Sequence, residues 1–179
     1  EQPEHAYGYD FLSPNHIKLC TGAMLYNDPD NVTLTTLRSI YTEMSSLFPD
    51  AVFHMGGDEP FLTGNCTLAS VKTMEVELVR HLLSLGKTPM GWEEILFKTA
   101  GAAQSNGSAI VASWATSSAA DIVKRGFRAV EANSEHFYLS SRLHGHNVPA
   151  NYRNVWYDIS VGTPGGSQNS LLLGGSMSF

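Results

Sequence analysis

Along residues 31–49 the apolar side chains recur at spacings of three and four: Leu34, Leu37, Ile40, Tyr41, Met44, Leu47 and Phe48. That period predicts an amphipathic helix, which Pro49 stops. Val52 and Phe53 follow as a short apolar run, a strand that ends at Gly56-Gly57. A second helix is predicted from about Leu68 to Leu85, with Val71, Met74, Leu78, Leu82 and Leu85 on one face and Gly86 as its C-terminal cap. Lys87–Glu94 reads as another strand end, and Ala109–Trp114 as a strand. Ser118–Arg125 is a short helix closed by Gly126, Arg128–Asn133 a strand, and Leu171–Ser176 the last strand. Residues 1–30, with Pro3, Pro14 and Pro29 among Asn, Asp and Gly, have the composition of a loop.

Helices alternating with short buried strands predict an α/β fold with a parallel sheet. Both a doubly wound sheet and a (β/α)8 barrel fit the spacing. Neither a Gly-x-Gly-x-x-Gly turn nor a phosphate loop occurs, which disfavours nucleotide folds. The 179 residues suffice for one domain, and 42% hydrophobic with 16% charged residues is a globular composition. A net charge of −6 makes nucleic acid or an anionic membrane surface an unsuitable partner. No apolar run has the length of a membrane span.

The chemistry concentrates in His54-Met55-Gly56-Gly57-Asp58-Glu59-Pro60. Acids at the start of a helix are commonly caps. Here, however, two adjacent carboxyls stand at a strand end, beside two glycines that let another backbone or a ligand approach. The string resembles the His-x-Gly-Gly-Asp-Glu signature of the family 20 glycoside hydrolases, the β-N-acetylhexosaminidases. Upstream, Glu1-Gln2-Pro3-Glu4-His5 resembles that family's Asp-x-Pro-Gly-His in Pro3 and His5, with Glu1 and Glu4 departing from it.

The resemblance implies a (β/α)8 TIM barrel, incomplete, running from about the end of the third strand to the eighth over residues 1–179 as one partial catalytic domain. It implies hydrolysis of terminal β-linked N-acetylhexosamine, GlcNAc or GalNAc, with the substrate's acetamido oxygen as nucleophile. Glu59 would protonate the leaving oxygen, Asp58 would orient the acetamido group, and His5 would act electrostatically beside them. Trp92 and Trp114, at strand ends, would line the acetamido pocket, and Tyr138 would donate its hydroxyl to the acetamido oxygen. His54 is expected to be structural. In the departures, Ser140 replaces the Asp of the family's Tyr-Leu-Asp, and Gly174-Gly175-Ser176 stands where Gly-Gly-Glu is usual.

Glu93 and Glu94 have no histidine at ligand spacing, so neither a metal nor another cofactor is expected. His144 and His146 read as a solvated loop pair, and no Gly-x-Ser-x-Gly elbow occurs. Cys20 and Cys66 are the only cysteines, and two buried thiols would be ordinary in a reducing compartment. The acceptor sequons at Asn31, Asn65 and Asn106 point instead to a secreted or lysosomal protein. The family resemblance pairs Cys20 with Cys66 as a disulfide. The partners it implies are an N-acetylhexosamine-containing glycan and a companion chain or N-terminal segment completing the barrel; homo-oligomerisation is left open. The rival reading is a non-catalytic carbohydrate-binding or assembly component on the same scaffold.

Overall fold

The computed structural model describes residues 30–60, 62, 67–137 and 170–176. His5, Cys20, Asn65, Cys66, Tyr138, Ser140 and the His144–His146 pair lie outside the described residues. The chain divides into two compact units, Glu1–Ala109 and Ile110–Phe179.

In the first unit, α1 spans Val32–Leu47 and β1 Val52–His54. They are followed by α2 at Leu68–Ser84 and β2 at Thr88–Trp92. A one-turn helix α3 at Glu94–Phe97 and a 3-10 turn at Gly101–Ser105 complete the described part. The α1 sequence is rich in hydroxyls, which ordinarily compete with helix formation. Here Thr36, Ser39 and Thr42 donate to the carbonyls of Val32, Thr35 and Arg38, one turn back, and the helix persists. The start of α2 is fixed by a reciprocal capping box between Thr67 and Ser70. Its end is Gly86 at φ +73, with Lys87 N–H donating to the Leu82 carbonyl, a closure that requires the left-handed backbone.

Leu37 and Tyr41 of α1 pack on Val71, Met74, Leu78, Val79 and Leu82 of α2, with Met55 completing the cluster. The Tyr41 and Phe53 rings meet at 4.7 Å. The apolar stripe predicted for α1 is only half used: Leu47 is 64% and Phe48 55% exposed, and Met44 is exposed as well. The packed part of α1 is centred on Leu37 and Tyr41, and the last turn of the helix lies beyond it.

The two strands run parallel in the register Val52↔Thr88, Phe53↔Pro89 and His54↔Met90. The pairing extends past His54: Met55 N–H donates to Met90 O, and Trp92 N–H to Gly56 O, both at 2.8 Å. This places the Gly-Gly-Asp-Glu turn at the C-terminal end of a parallel strand pair, the end at which α/β folds build their sites.

In the second unit, β3 (Ile110–Ser113) is buried throughout and leads to α4 (Ala119–Lys124) and β4 (Arg128–Glu131). Then come α5 (Ser134–Phe137) and β5 (Leu172–Gly175). Strands β3 and β4 pair in parallel from Ile110↔Arg128 to Ser113↔Glu131. β4 and β5 pair likewise, with a register shift between Ala129 and Val130. A capping box between Ser118 and Asp121 opens α4, and Gly126 at φ +84 follows its end. Among the described residues no helix is long and apolar enough to cross a membrane, and no group of His, Cys, Asp or Glu is arranged to hold a metal.

Candidate active site

The strand-end turn is held in an unusual backbone path. Gly56 and Gly57 have φ of 76 and 91, which a residue without Cβ adopts at little cost. Glu59 has φ 49, also left-handed, where a glutamate is strained. Gly57 is required twice over: a Cβ there would stand 2.5 Å from Ile95 Cγ2. Gly91 faces the turn from β2, and a Cβ on it would lie 2.8 Å from the Gly56 carbonyl oxygen. The turn and β2 thus approach as closely as two backbones can. Met55 beneath them is wholly buried.

His54 Nδ1 accepts the Gly56 N–H at 3.1 Å, which makes the ring a brace for the turn. The Trp92 ring meets it edge-on at 5.2 Å. Packed protein holds the His54 pKa below the usual histidine range, with the Asp58 carboxylate pulling in the opposite direction. The residue also keeps a solvent-facing edge. A neutral ring suits its role as acceptor of the Gly56 N–H. Trp92 is fixed at both ends, by its backbone bond to Gly56 and by its ring on His54. Asp58, Glu59 and Trp92 therefore belong to one turn-and-strand assembly, and each is half-buried.

Behind this assembly lie carboxyls that their spacing did not single out. Glu93 and Glu94 are buried at the end of β2, and Glu94 Oε1 accepts the Glu59 N–H at 3.4 Å. Lys98 stands 3.8 Å from the same Glu94 oxygen. Glu75, in the middle of α2, is 2% exposed. Its Oε2 accepts from the Thr99 hydroxyl, while Oε1 has no hydrogen-bond partner among the described residues. Oε1 lies 3.7 Å from where a Cβ on Gly57 would be, so this carboxyl sits directly under the turn. Burial pushes the Glu75 pKa up to about 8, against the Thr99 hydrogen bond and with help from the charge of Glu94. A carboxyl of that kind is an uncharged acid at neutral pH. Sequence does carry a signal for it: position 75 falls four after Val71 and three before Leu78, inside the apolar face of α2.

In the second unit, Trp114 directly follows β3, and its carbonyl accepts the Ser134 N–H at 2.8 Å. Glu131, at the end of β4, is buried and fully engaged. Its Oε1 accepts from the Ser113 hydroxyl and the Asn133 N–H, and its Oε2 from the Ala119 N–H. It ties two strand ends to the start of α4. Asn31 and Asn106 are exposed at helix ends with left-handed backbone, and both could carry a glycan.

A model of the glycosyl hydrolase family 20 catalytic domain matches residues 12–161. The chain is 24% identical to β-hexosaminidase subunit A1 of Dictyostelium discoideum over 90% of its own length, and spans 34% of that relative. A crystal structure of a β-N-acetylhexosaminidase superposes on the whole chain with a TM-score of 0.70 at 18% identity, the match taking up 45% of that protein. The exo-β-N-acetylglucosaminidase of Vibrio harveyi, solved with N-acetylglucosamine, matches 83% of this chain and 27% of its own, with a TM-score of 0.55 at 16% identity. These likenesses, with the parallel strands of both units, assign a TIM-barrel-like α/β fold. With most of its length matched by the family model and its Gly-Gly-Asp-Glu turn at a parallel strand end, the chain belongs to glycosyl hydrolase family 20.

Proposed function

We propose that this chain is the later part of the catalytic barrel of a β-N-acetylhexosaminidase, one domain that removes terminal non-reducing β-linked GlcNAc or GalNAc from glycans. The observation that carries the reading is the Asp58–Glu59 pair, presented at a parallel strand end and braced to Trp92 through Gly56 and His54. Glu59 gives its proton to the glycosidic oxygen as the bond to the anomeric carbon breaks. The substrate's acetamido oxygen forms the new bond to that carbon, which yields a cyclic oxazolinium ion. Asp58 accepts the acetamido N–H and offsets the positive charge. Water then attacks the anomeric carbon from the face the leaving group vacated, giving its proton to the Glu59 carboxylate as the bond to the acetamido oxygen breaks, and the two inversions retain configuration. Trp92 and Trp114 wall the acetamido methyl, Tyr138 donates to the acetamido oxygen, and His5 supports the carboxylates.

The missing earlier strands come from a preceding segment or a companion chain, in keeping with a match that takes up less than half of each relative. We further propose a Cys20–Cys66 disulfide and glycans on Asn31, Asn65 and Asn106, in keeping with a secreted or lysosomal protein.

The test uses the full-length protein with an N-acetylglucosamine disaccharide and a nitrophenyl β-N-acetylglucosaminide. Glu59→Gln should abolish cleavage of the disaccharide and spare much of the activity on the nitrophenyl sugar, whose leaving group needs less protonation. Asp58→Asn should impair both, because the nucleophile is misaimed in either case. Full disaccharide cleavage by Glu59→Gln would refute the assignment. An inert wild type would favour a carbohydrate-binding component, with Ser140 and Ser176 as the first positions to restore to the family's acids.

A further inference from the structure

Glu59 is held in a left-handed conformation that a glutamate does not choose, so something must fix it there. Its amide donates to a buried acceptor, the Glu94 carboxylate. At 3.4 Å the bond is long for N–H to oxygen, and the negative charge on the acceptor compensates because charge–dipole attraction decays slowly with distance. Resting on the hydrolase reading only for its kinetic consequence, we propose that Glu94 is a positioning residue that clamps the backbone of Glu59, with Glu75 packed beneath the turn.

Three features support the pairing. Glu94 is 3% and Glu75 2% exposed, so both carboxyls are inside the protein. Thr99 links them: its hydroxyl donates to Glu75 Oε2, and its backbone N–H donates to the Glu94 carbonyl at 3.0 Å. Among the described residues Glu75 Oε1 has no hydrogen-bond partner, and it lies under Gly57. The ionisable groups on the surrounding elements include His54 on β1, Asp58 and Glu59 in the turn, Glu93, Glu94 and Lys98 on and around α3, Arg38, Tyr41 and Glu43 on α1, and Lys72, Glu77, Arg80 and His81 on α2 itself. The 3-10 turn Gly101–Ser105 has none. Arg38 pairs with Glu77, and Lys98 stands 3.8 Å from Glu94 Oε1.

The role differs from a merely structural one in what it moves. Loss of the clamp lets the Glu59 backbone relax toward right-handed conformations, which swings its carboxyl off line while leaving the sugar pocket intact. Catalysis should fall with KM unchanged, and most on substrates that depend on protonation.

The experiment measures hydrogen exchange of the Glu59 amide and steady-state kinetics in the full-length protein. In Glu94→Leu the Glu59 amide should exchange at least about threefold faster. On the N-acetylglucosamine disaccharide kcat should drop about tenfold or more with KM within about twofold, and the nitrophenyl sugar should be affected less. Glu94→Gln, which keeps an acceptor oxygen, should recover much of both. Should Glu94→Leu fail to fold, Glu94→Asp, which withdraws the acceptor by one methylene, carries the same comparison. Unchanged Glu59 exchange in a folded Glu94→Leu or Glu94→Asp protein overturns the proposal, as does a rise in KM at constant kcat. An inert wild type defeats the hydrolase reading alone, and the exchange rate then decides on the clamp.

Discussion

Replacing Gly57 by alanine adds a single methyl group to the strand-end turn, and the structure sets what that methyl meets. It would lie 2.5 Å from Ile95 Cγ2 and 3.7 Å from Glu75 Oε1. Ordinary carbon–carbon contact is about 3.5–4.0 Å, so the first approach forces a shift, at about 1–3 kcal/mol for an overpacked core. The backbone adds its own cost. At φ +91 an L-residue is strained by about 1–2 kcal/mol relative to glycine. A total near 3 kcal/mol corresponds to about 6–12 °C in Tm for a domain of this size. The two contributions are separable. Ile95→Leu removes Cγ2 at nearly constant volume, costing under about 1.5 kcal/mol by itself. Combined with Gly57→Ala it should return about 1–2 kcal/mol, the overlap share, and leave the backbone share in place. Urea midpoints of the full-length wild type, the two single variants and the double variant measure the cycle. A Gly57→Ala cost below about 0.5 kcal/mol, or strict additivity in the double variant, would refute the close approach from which the turn's geometry has been argued.

Glu75 gives the protein a pH dependence of known sign. Its folded pKa of about 8 stands above the unfolded value of 4.5, so the stability is fully present below pH 4.5 and is lost as pH rises through 8. The loss is up to about 5 kcal/mol. Glu75→Gln should flatten that share of the decline, as followed by urea midpoints from pH 5 to 9, and parallel profiles for wild type and variant would contradict a protonated Glu75. Glu131→Ala leaves the Ser113 hydroxyl and the Ala119 and Asn133 amides without their acceptor. It should cost about 3–5 kcal/mol, and a Tm within 2 °C of wild type would show that the tie is dispensable.

The period of apolar residues located α1, α2 and α4, and Gly86 and Gly126 marked the ends of α2 and α4, because caps and amphipathic faces are local properties. The one-turn helices Glu94–Phe97 and Ser134–Phe137 were not legible, since four residues are too few to display a period. At the site, the paired glycines announced a backbone that needs positive φ, and the structure has it at both. The sequence signals the burial of Glu75, which falls inside the apolar face of α2, but not the depth of Glu94, which depends on α2, β2 and α3 folding against one turn. Glu93-Glu94, read in isolation, has no histidine at ligand spacing and suggested no site. Only packing turned Glu75 and Glu94 into an internal pair. The exposure of Leu47 and Phe48 was hidden for the opposite reason: the helical period continues to Pro49, and nothing local records where the partner strand begins.

That overhanging end of α1 has a practical consequence. Met44, Leu47, Phe48 and Val52 are exposed together where the chain enters β1, and Lys87 holds the connection by donating to the Phe48 and Asp50 carbonyls. The carboxylate turn leaves the same strand at its other end. A hydrophobic resin or interface will therefore find a foothold at the strand-entry end of β1, one strand-length away from the Gly-Gly-Asp-Glu turn.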